Sequence, residues 1–255
     1  MISGKHFSLL WWYLLRPNMY RDLVRRVLSM GNKRNNLSND GLLSKKWCTD
    51  NEITRDQLLI ALGLTQMNSF KNDFNEIVRP KLAELQNRNI IMGGGGDYEL
   101  LYLIADKLKA KNVLETGVAL GFSSLSLLLS VASRNGMVYS TDRPYPLQNT
   151  DKYVGYLVPD DFHSNWKLFR MPDKDGLRKI FKLNQQFDLI HYDSDKSRDG
   201  RLWAYAELWQ RLHEGGVFIS DDIDDNLAFK DFCLQINRTP LILKKGKNYL
   251  GVIKK

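Results

Sequence analysis

Val113-Leu114-Glu115-Thr116-Gly117-Val118-Ala119-Leu120-Gly121-Phe122-Ser123-Ser124 passes from a short apolar strand, through a turn with two glycines, into the periodicity of a helix. The pattern predicts a strand over 112–115 and a helix over 123–133. Gly117 and Gly121 allow a tight turn and the close approach of a ligand to backbone. The helix that starts at Ser123 and Ser124 offers N–H groups to a carboxylate or phosphate. The spacing is G-x-x-x-G with an acid before it, not the G-x-G-x-x-G of dinucleotide sites. Glycine in such a turn is often only structural, so the stretch alone defines strand–turn–helix and not a ligand.

Outward from it, strands and helices alternate. Further strands are expected over 137–141, 166–169, 187–192 and 216–220, and helices over 98–109, 199–212 and from 176 to 181. Residues 241–244 and 249–253 flank Lys-Gly-Lys-Asn and read as a hairpin. Such alternation means an α/β fold, a doubly wound and mostly parallel sheet, with the final hairpin as an antiparallel edge. Residues 1–96 read differently. Two helices follow the apolar spacing from Phe7 to Leu28, with Pro17 in the first turn of the second. Residues 31–50, rich in Asn, Ser, Gly and Lys, read as a loop. Thr54 caps a helix that Gly63 ends, and another covers 69–89 despite Pro80. Gly93 to Gly96 is a hinge or a tight passage. The division expected is a helical extension or cap, 1–96, and a sheet domain, 97–255.

The chain has 255 residues, 43% hydrophobic and 26% charged, enough for a full core and against disorder or a coiled-coil rod. No apolar stretch approaches the roughly 18–20 residues of a membrane span. Cys48 and Cys233 alone exclude a disulfide scaffold and read as reduced structural thiols. The apolar run from Phe7 to Leu15 leads into Arg16, Pro17 and Arg21 without a small-residue cleavage site, so a cleaved signal peptide is not expected. Net charge is 37 − 29 = +8, and residues 1–36 hold seven Lys and Arg against Asp22 alone, 7 − 1 = +6.

In open sheets of this kind ligands sit beyond the carboxyl ends of the strands. Asp142 follows the second strand, where an acid can accept from a ribose diol or merely cap a loop. Asp173-Lys174-Asp175-Gly176 follows the third; Asp175 could meet an adenine amino group or serve as a helix cap. Asp193-Ser194-Asp195-Lys196 follows the fourth and Asp221-Asp222 the fifth. Asp193 and Asp221 would stand side by side, which is unfavourable without a shared cation. Oxygen ligands favour Mg²⁺ or Ca²⁺, and no His or Cys cluster offers a rival site. Asp224 and Asp225 read as a solvated acidic loop.

Together these pieces resemble class I S-adenosylmethionine-dependent methyltransferases over 97–226, about half of the chain. They are most similar to the cation-dependent O-methyltransferases of the catechol and caffeoyl-coenzyme A kind. Residues 113–123 look like the first cofactor motif, Asp193-Ser194-Asp195-Lys196 like D-x-D-K, and Gly215-Gly216-Val217-Phe218-Ile219-Ser220-Asp221-Asp222 like G-G-V-x-x-x-D-N. Glu99-Leu100-Leu101 looks like the helix before the cofactor motif. The resemblance implies a Rossmann-like fold and S-adenosylmethionine held by Glu115, Gly117, Gly121, Ser123, Asp142 (ribose) and Asp175 (adenine). It implies Mg²⁺ on Asp193, Asp221 and Asp222, with Lys196 as general base, its pKa lowered by the metal. Ala119 stands where the family often has Gly, and Asp222 where it has Asn. Without the resemblance, Lys196 reads as a surface lysine paired with Asp193 or Asp195.

The implied reaction moves a methyl group to a hydroxyl of a small molecule with vicinal oxygens, a sugar or a catechol-like ring. Residues 1–96 and 143–161, the latter with Tyr145, Tyr153 and Tyr156, are candidates for closing the acceptor pocket. The first helices carry Trp11 and Trp12 with basic residues opposite. Docking on their own domain or in a homodimer is the commoner use of such helices. The other is a peripheral seat on an anionic membrane through residues 5–28, at the inner surface, in an otherwise cytoplasmic protein. Alternatives are an RNA methyltransferase and a scaffold with a degenerate site. No RNA-binding module is recognisable, so nucleic acid is not an expected partner; intact Asp193, Lys196 and Asp221 speak against the scaffold.

Overall fold

The computed structural model describes residues 4–24, 37–64, 68–94, 96–146 and 150–255. In chain order the helices are α1 (Gly4–Leu14), α2 (Leu37–Asp50), α3 (Arg55–Leu62), α4 (Asn68–Asn87), α5 (Tyr98–Lys107), α6 (Phe122–Val131), α7 (Asp173–Phe181), α8 (Arg198–Arg211) and α9 (Ala228–Gln235). The strands are β1 (Glu52–Ile53), β2 (Asn112–Thr116), β3 (Met137–Asp142), β4 (Trp166–Arg170), β5 (Phe187–Tyr192), β6 (Leu212–Ser220), β7 (Leu241–Lys245) and β8 (Asn248–Lys254). They form one sheet in the order β1-β7-β8-β6-β5-β2-β3-β4. β4, β3, β2, β5 and β6 are parallel, β8 is antiparallel to both β6 and β7, and β1 is parallel to β7. The Rossmann-like sheet and the closing hairpin expected from the alternation are therefore present. The hairpin is not the edge: β1, two residues long and without a sequence signal of its own, covers β7.

Strand side chains alternate between two cores. Val113, Leu189, Val217 and Ile219 pack with α4, α5 and α6 on one face. Leu114, Ile190 and Phe218 pack with α7, α8 and α9 on the other. Cys48 and Cys233 are free and buried in the second core, where burial pushes both thiols up to about 12. A third, small cluster of Trp12, Tyr13 and Met19 lies under α1. Thr54 and Gln57 form a capping box on α3, and Gly63 ends it at φ +63°.

Residues 37–50 correct the loop reading: they are helical. Polar composition argued against a helix, and tertiary contacts override it. Ser44 donates from its buried hydroxyl to the carbonyls of Ile223 and Asn226 at 2.9 and 3.0 Å, so α2 braces the loop after β6. The rest of that expected loop, residues 31–36, lies outside the described residues, as do 25–28 of the second N-terminal helix. No helix among the described residues is long and apolar enough to cross a membrane.

Candidate active site

Backbone hydrogen bonds step across the carboxyl ends of the central strands. Gly117 N–H donates to Thr141 O, Asp193 N–H to Thr116 O, and Asp221 N–H to Tyr192 O, at 2.8, 2.9 and 3.0 Å. This staircase sets the turn after β2 beside Asp193, and Asp193 beside Asp221. A Cβ on Gly117, at φ +84°, would lie 2.1 Å from the Asp193 carbonyl oxygen, so only glycine fits there. Above the staircase opens a cavity of about 680 Å³. Gly117, Val118, Ala119 and Ser123 line one wall, Asp193, Asp221 and Asp222 the floor, and the turn from Lys245 to Asn248 the far rim. Gly93, Gly94 and Gly96 pass along the mouth; a Cβ on Gly94 would strike the Phe122 ring at 2.7 Å.

The expected cofactor residues take distinct places. Ser123 faces the cavity. It stands in the first turn of α6, whose N-cap, Gly121 at φ +95°, gives no side-chain cap; the helix N-terminus is thus open to an anion. Glu115 is fully buried beneath the turn and accepts from Ser124 and Ser140 hydroxyls at 2.6 and 2.8 Å. Asp142 is buried as well. One oxygen accepts from Val118 and Ala119 N–H, each at 2.8 Å, and the other from Arg170 at 2.6 Å. Ala119 sits at φ +46°, left-handed backbone that explains why glycine suits this position. Asp175 lies in the first turn of α7. Its neighbour Asp173 reaches the strand ends, bonded to Ser194 and to Thr141; burial pushes its carboxyl up to about 6.

Beside the floor acids, Lys196 bridges Asp193 and Asp222, the latter at 2.7 Å. Burial works to lower its pKa, but the two carboxylates outweigh it and the net shift is upward. Asp222, at φ +52°, also accepts from Asn248 at 2.6 Å. Asp224 and Asp225 are engaged too, with Tyr249 N–H and with Arg201. The sequence places only acids at the metal position, and the structure adds a histidine beside them. Ligand atoms of His191, Asp193 and Asp221 all lie within 4.8 Å of one another, and Asp222 is not in that group. His191 and Asp193 are two apart on β5 and its extension, so they share a face; that spacing was the available signal. His191 is 1% exposed and sits between Asp221 at 3.4 Å and Glu115 at 3.8 Å. Burial opposes its charge, and the two carboxylates prevail, raising its pKa to about 10. Of the three tyrosines, Tyr145 lines the cavity, Tyr153 is buried and Tyr156 bonds Glu84 on α4.

Residues 114–223 match the family model described as "Methyltransferase domain". No curated protein matches the chain by sequence. Among solved structures it is similar to an O-methyltransferase from Bacillus cereus in complex with SAH, with 17% identity and a TM-score of 0.56, covering 78% of this chain and 96% of that one. The O-methyltransferase TomG from Streptomyces achromogenes, in complex with SAM, is 13% identical with a TM-score of 0.53, covering 83% and 99%. SAH-bound PaMTH1 of Podospora anserina is 14% identical at 0.53, covering 87% and 97%. At such identities the likeness establishes the fold alone: this chain shares the Rossmann-like fold of these structures.

Proposed function

We propose that the protein is an S-adenosylmethionine-dependent O-methyltransferase acting on a small molecule with neighbouring oxygens, a sugar or a catechol-like ring. The observation that carries this is one cavity with the open N-terminus of α6 on its wall and Asp193, Asp221 and Asp222 at its floor, with Lys196 bonded to the first and last of these acids. The first suits the cofactor's amino-acid carboxylate, and the second a hydroxyl that must lose a proton. The protein's task is to hold an already activated methyl group in line with that oxygen. Val118 and Ala119, pinned by Asp142, keep the cofactor wall in shape. Tyr98, stacked on Phe122 at 5.1 Å, and Tyr145 bound the acceptor space. Lys196 is the proposed base; it must first give up its own proton, against the pull of Asp193 and Asp222.

A divalent metal fits the floor, because the Asp193 and Asp221 carboxylates converge there. Asp193 and Asp221 would hold it, and it would stabilise the deprotonated acceptor oxygen. The carboxylate oxygens suit Mg²⁺ or Mn²⁺, while His191, held protonated by its carboxylate neighbours, would steady Asp221 rather than ligate. The test is calorimetric titration with S-adenosylmethionine, with and without metal, followed by acceptor screening. Micromolar binding and methyl transfer to a sugar or catechol support the reading; no cofactor binding under any condition sinks it.

A further inference from the structure

We propose that the surface built on α1 docks on an anionic lipid surface. Trp12 and Tyr13 turn inward and bury themselves with Met19. Trp11, Leu14 and Leu15, spaced i, i+3 and i+4, turn outward and are 56, 50 and 62% exposed. Tyr20 and Val24 continue the exposed apolar set past the turn at Pro17, at 42 and 56%. Single exposed apolar residues are ordinary; five within 14 residues form a patch that calls for a partner.

Charge selects the partner. Residues 1–36 carry seven basic side chains and one acid, Asp22. That acid is withdrawn from the surface: it is buried and accepts from Arg143 at 2.6 Å and from Tyr13 at 2.9 Å. Exposed Arg21 and Arg178 flank a shallow depression with Tyr20 and Val24. Arg25, Arg26, Lys33 and Arg34 lie outside the described residues and count only as charge. An apolar stripe with cations, whose one acid within residues 1–36 is buried and bonded, suits an anionic interface. A second copy meeting this face about a two-fold axis would set like charges together. The lipid surface, rather than another copy, complements it.

Co-sedimentation of the full chain with vesicles tests this. Phosphatidylcholine alone is compared with a mixture holding roughly one quarter phosphatidylglycerol, at low salt and at about 0.5 M salt. The chain is expected to pellet with the anionic vesicles only and to be released by salt. Trp11→Ser with Leu15→Ser, both exposed and outside the cavity, is expected to weaken partition by about tenfold. Leu14→Ser serves as a second variant should the first melt early. No pelleting overturns the proposal, as does equal pelleting with neutral vesicles or partition that neither variant weakens. A dimer that the variants dissociate, without pelleting, assigns the face to a second copy and overturns it too. Cofactor binding is unchanged in every arm, so this outcome is separate from that of the methyltransferase reading.

Discussion

Arg170 donates to one oxygen of Asp142 at 2.6 Å, while the other oxygen of Asp142 accepts the N–H groups of Val118 and Ala119. A side chain on β4 thus holds the turn after β2 through an acid at the end of β3. Removing it leaves a buried carboxylate short of its cation. Arg170→Met is expected to lower stability by about 2–4 kcal/mol in denaturant melts. S-adenosylmethionine binding should weaken about tenfold as the turn loosens.

Lys196 should reveal itself in pH dependence. Its pKa is raised by Asp193 and Asp222, net of burial, so the neutral amine is the minor form at neutral pH. If it is the base, kcat/KM climbs about tenfold per pH unit on the neutral-to-alkaline side. Lys196→Met should cost about 100-fold or more, and Lys196→Arg should not restore it. A flat profile, or an active arginine variant, assigns the proton to another group.

Metal binding separates the floor carboxylates. Asp193→Ala should abolish the heat of metal titration, because Asp193 belongs to the converging group. Asp222→Asn should leave it within about threefold, because Asp222 is held by Lys196 and Asn248. Equal loss in both variants would show that Asp222 swings in as a ligand.

Asp173 links stability to pH. Burial holds its carboxyl at about 6 when folded, above the ordinary aspartate range, so the folded state binds that proton more tightly. The contribution is full below about pH 4 and is lost as pH rises through 6. Asp173→Asn should therefore raise the melting temperature near pH 7, by roughly 1–3 kcal/mol of stability, and change little at pH 4. Melts at four pH values decide it.

Ala119 holds left-handed backbone at φ +46°. Ala119→Gly relieves that strain and loosens the unfolded chain; relief is the larger effect by about 1 kcal/mol. A higher denaturant midpoint checks it.

The strand ends were legible because a parallel sheet writes its sites as acids after apolar runs. Asp193, Lys196 and Asp221 stand where that rule puts them. His191 was legible only in part: its spacing of two from Asp193 puts both on one face, but it interrupts no pattern within Phe187–Tyr192 and stands out only beside Asp221. Leu37–Asp50 was illegible for the opposite reason: its own residues prefer a turn, and the bonds from Ser44 to Ile223 and Asn226 span some 180 positions. In the same way Asp173, rather than Asp175, reaches Ser194, a difference of two places on α7 that spacing does not resolve.

The ammonium of Lys196 already lies between Asp193 and Asp222. The floor therefore folds with a counter-ion supplied by its own chain, three residues from one partner. A metal arriving from solution meets a tethered competitor whose local concentration no dilution reduces. Measured metal affinity would report an exchange, not a capture. It would strengthen with rising pH as the tethered amine loses charge, and Lys196→Met would raise it even while turnover falls.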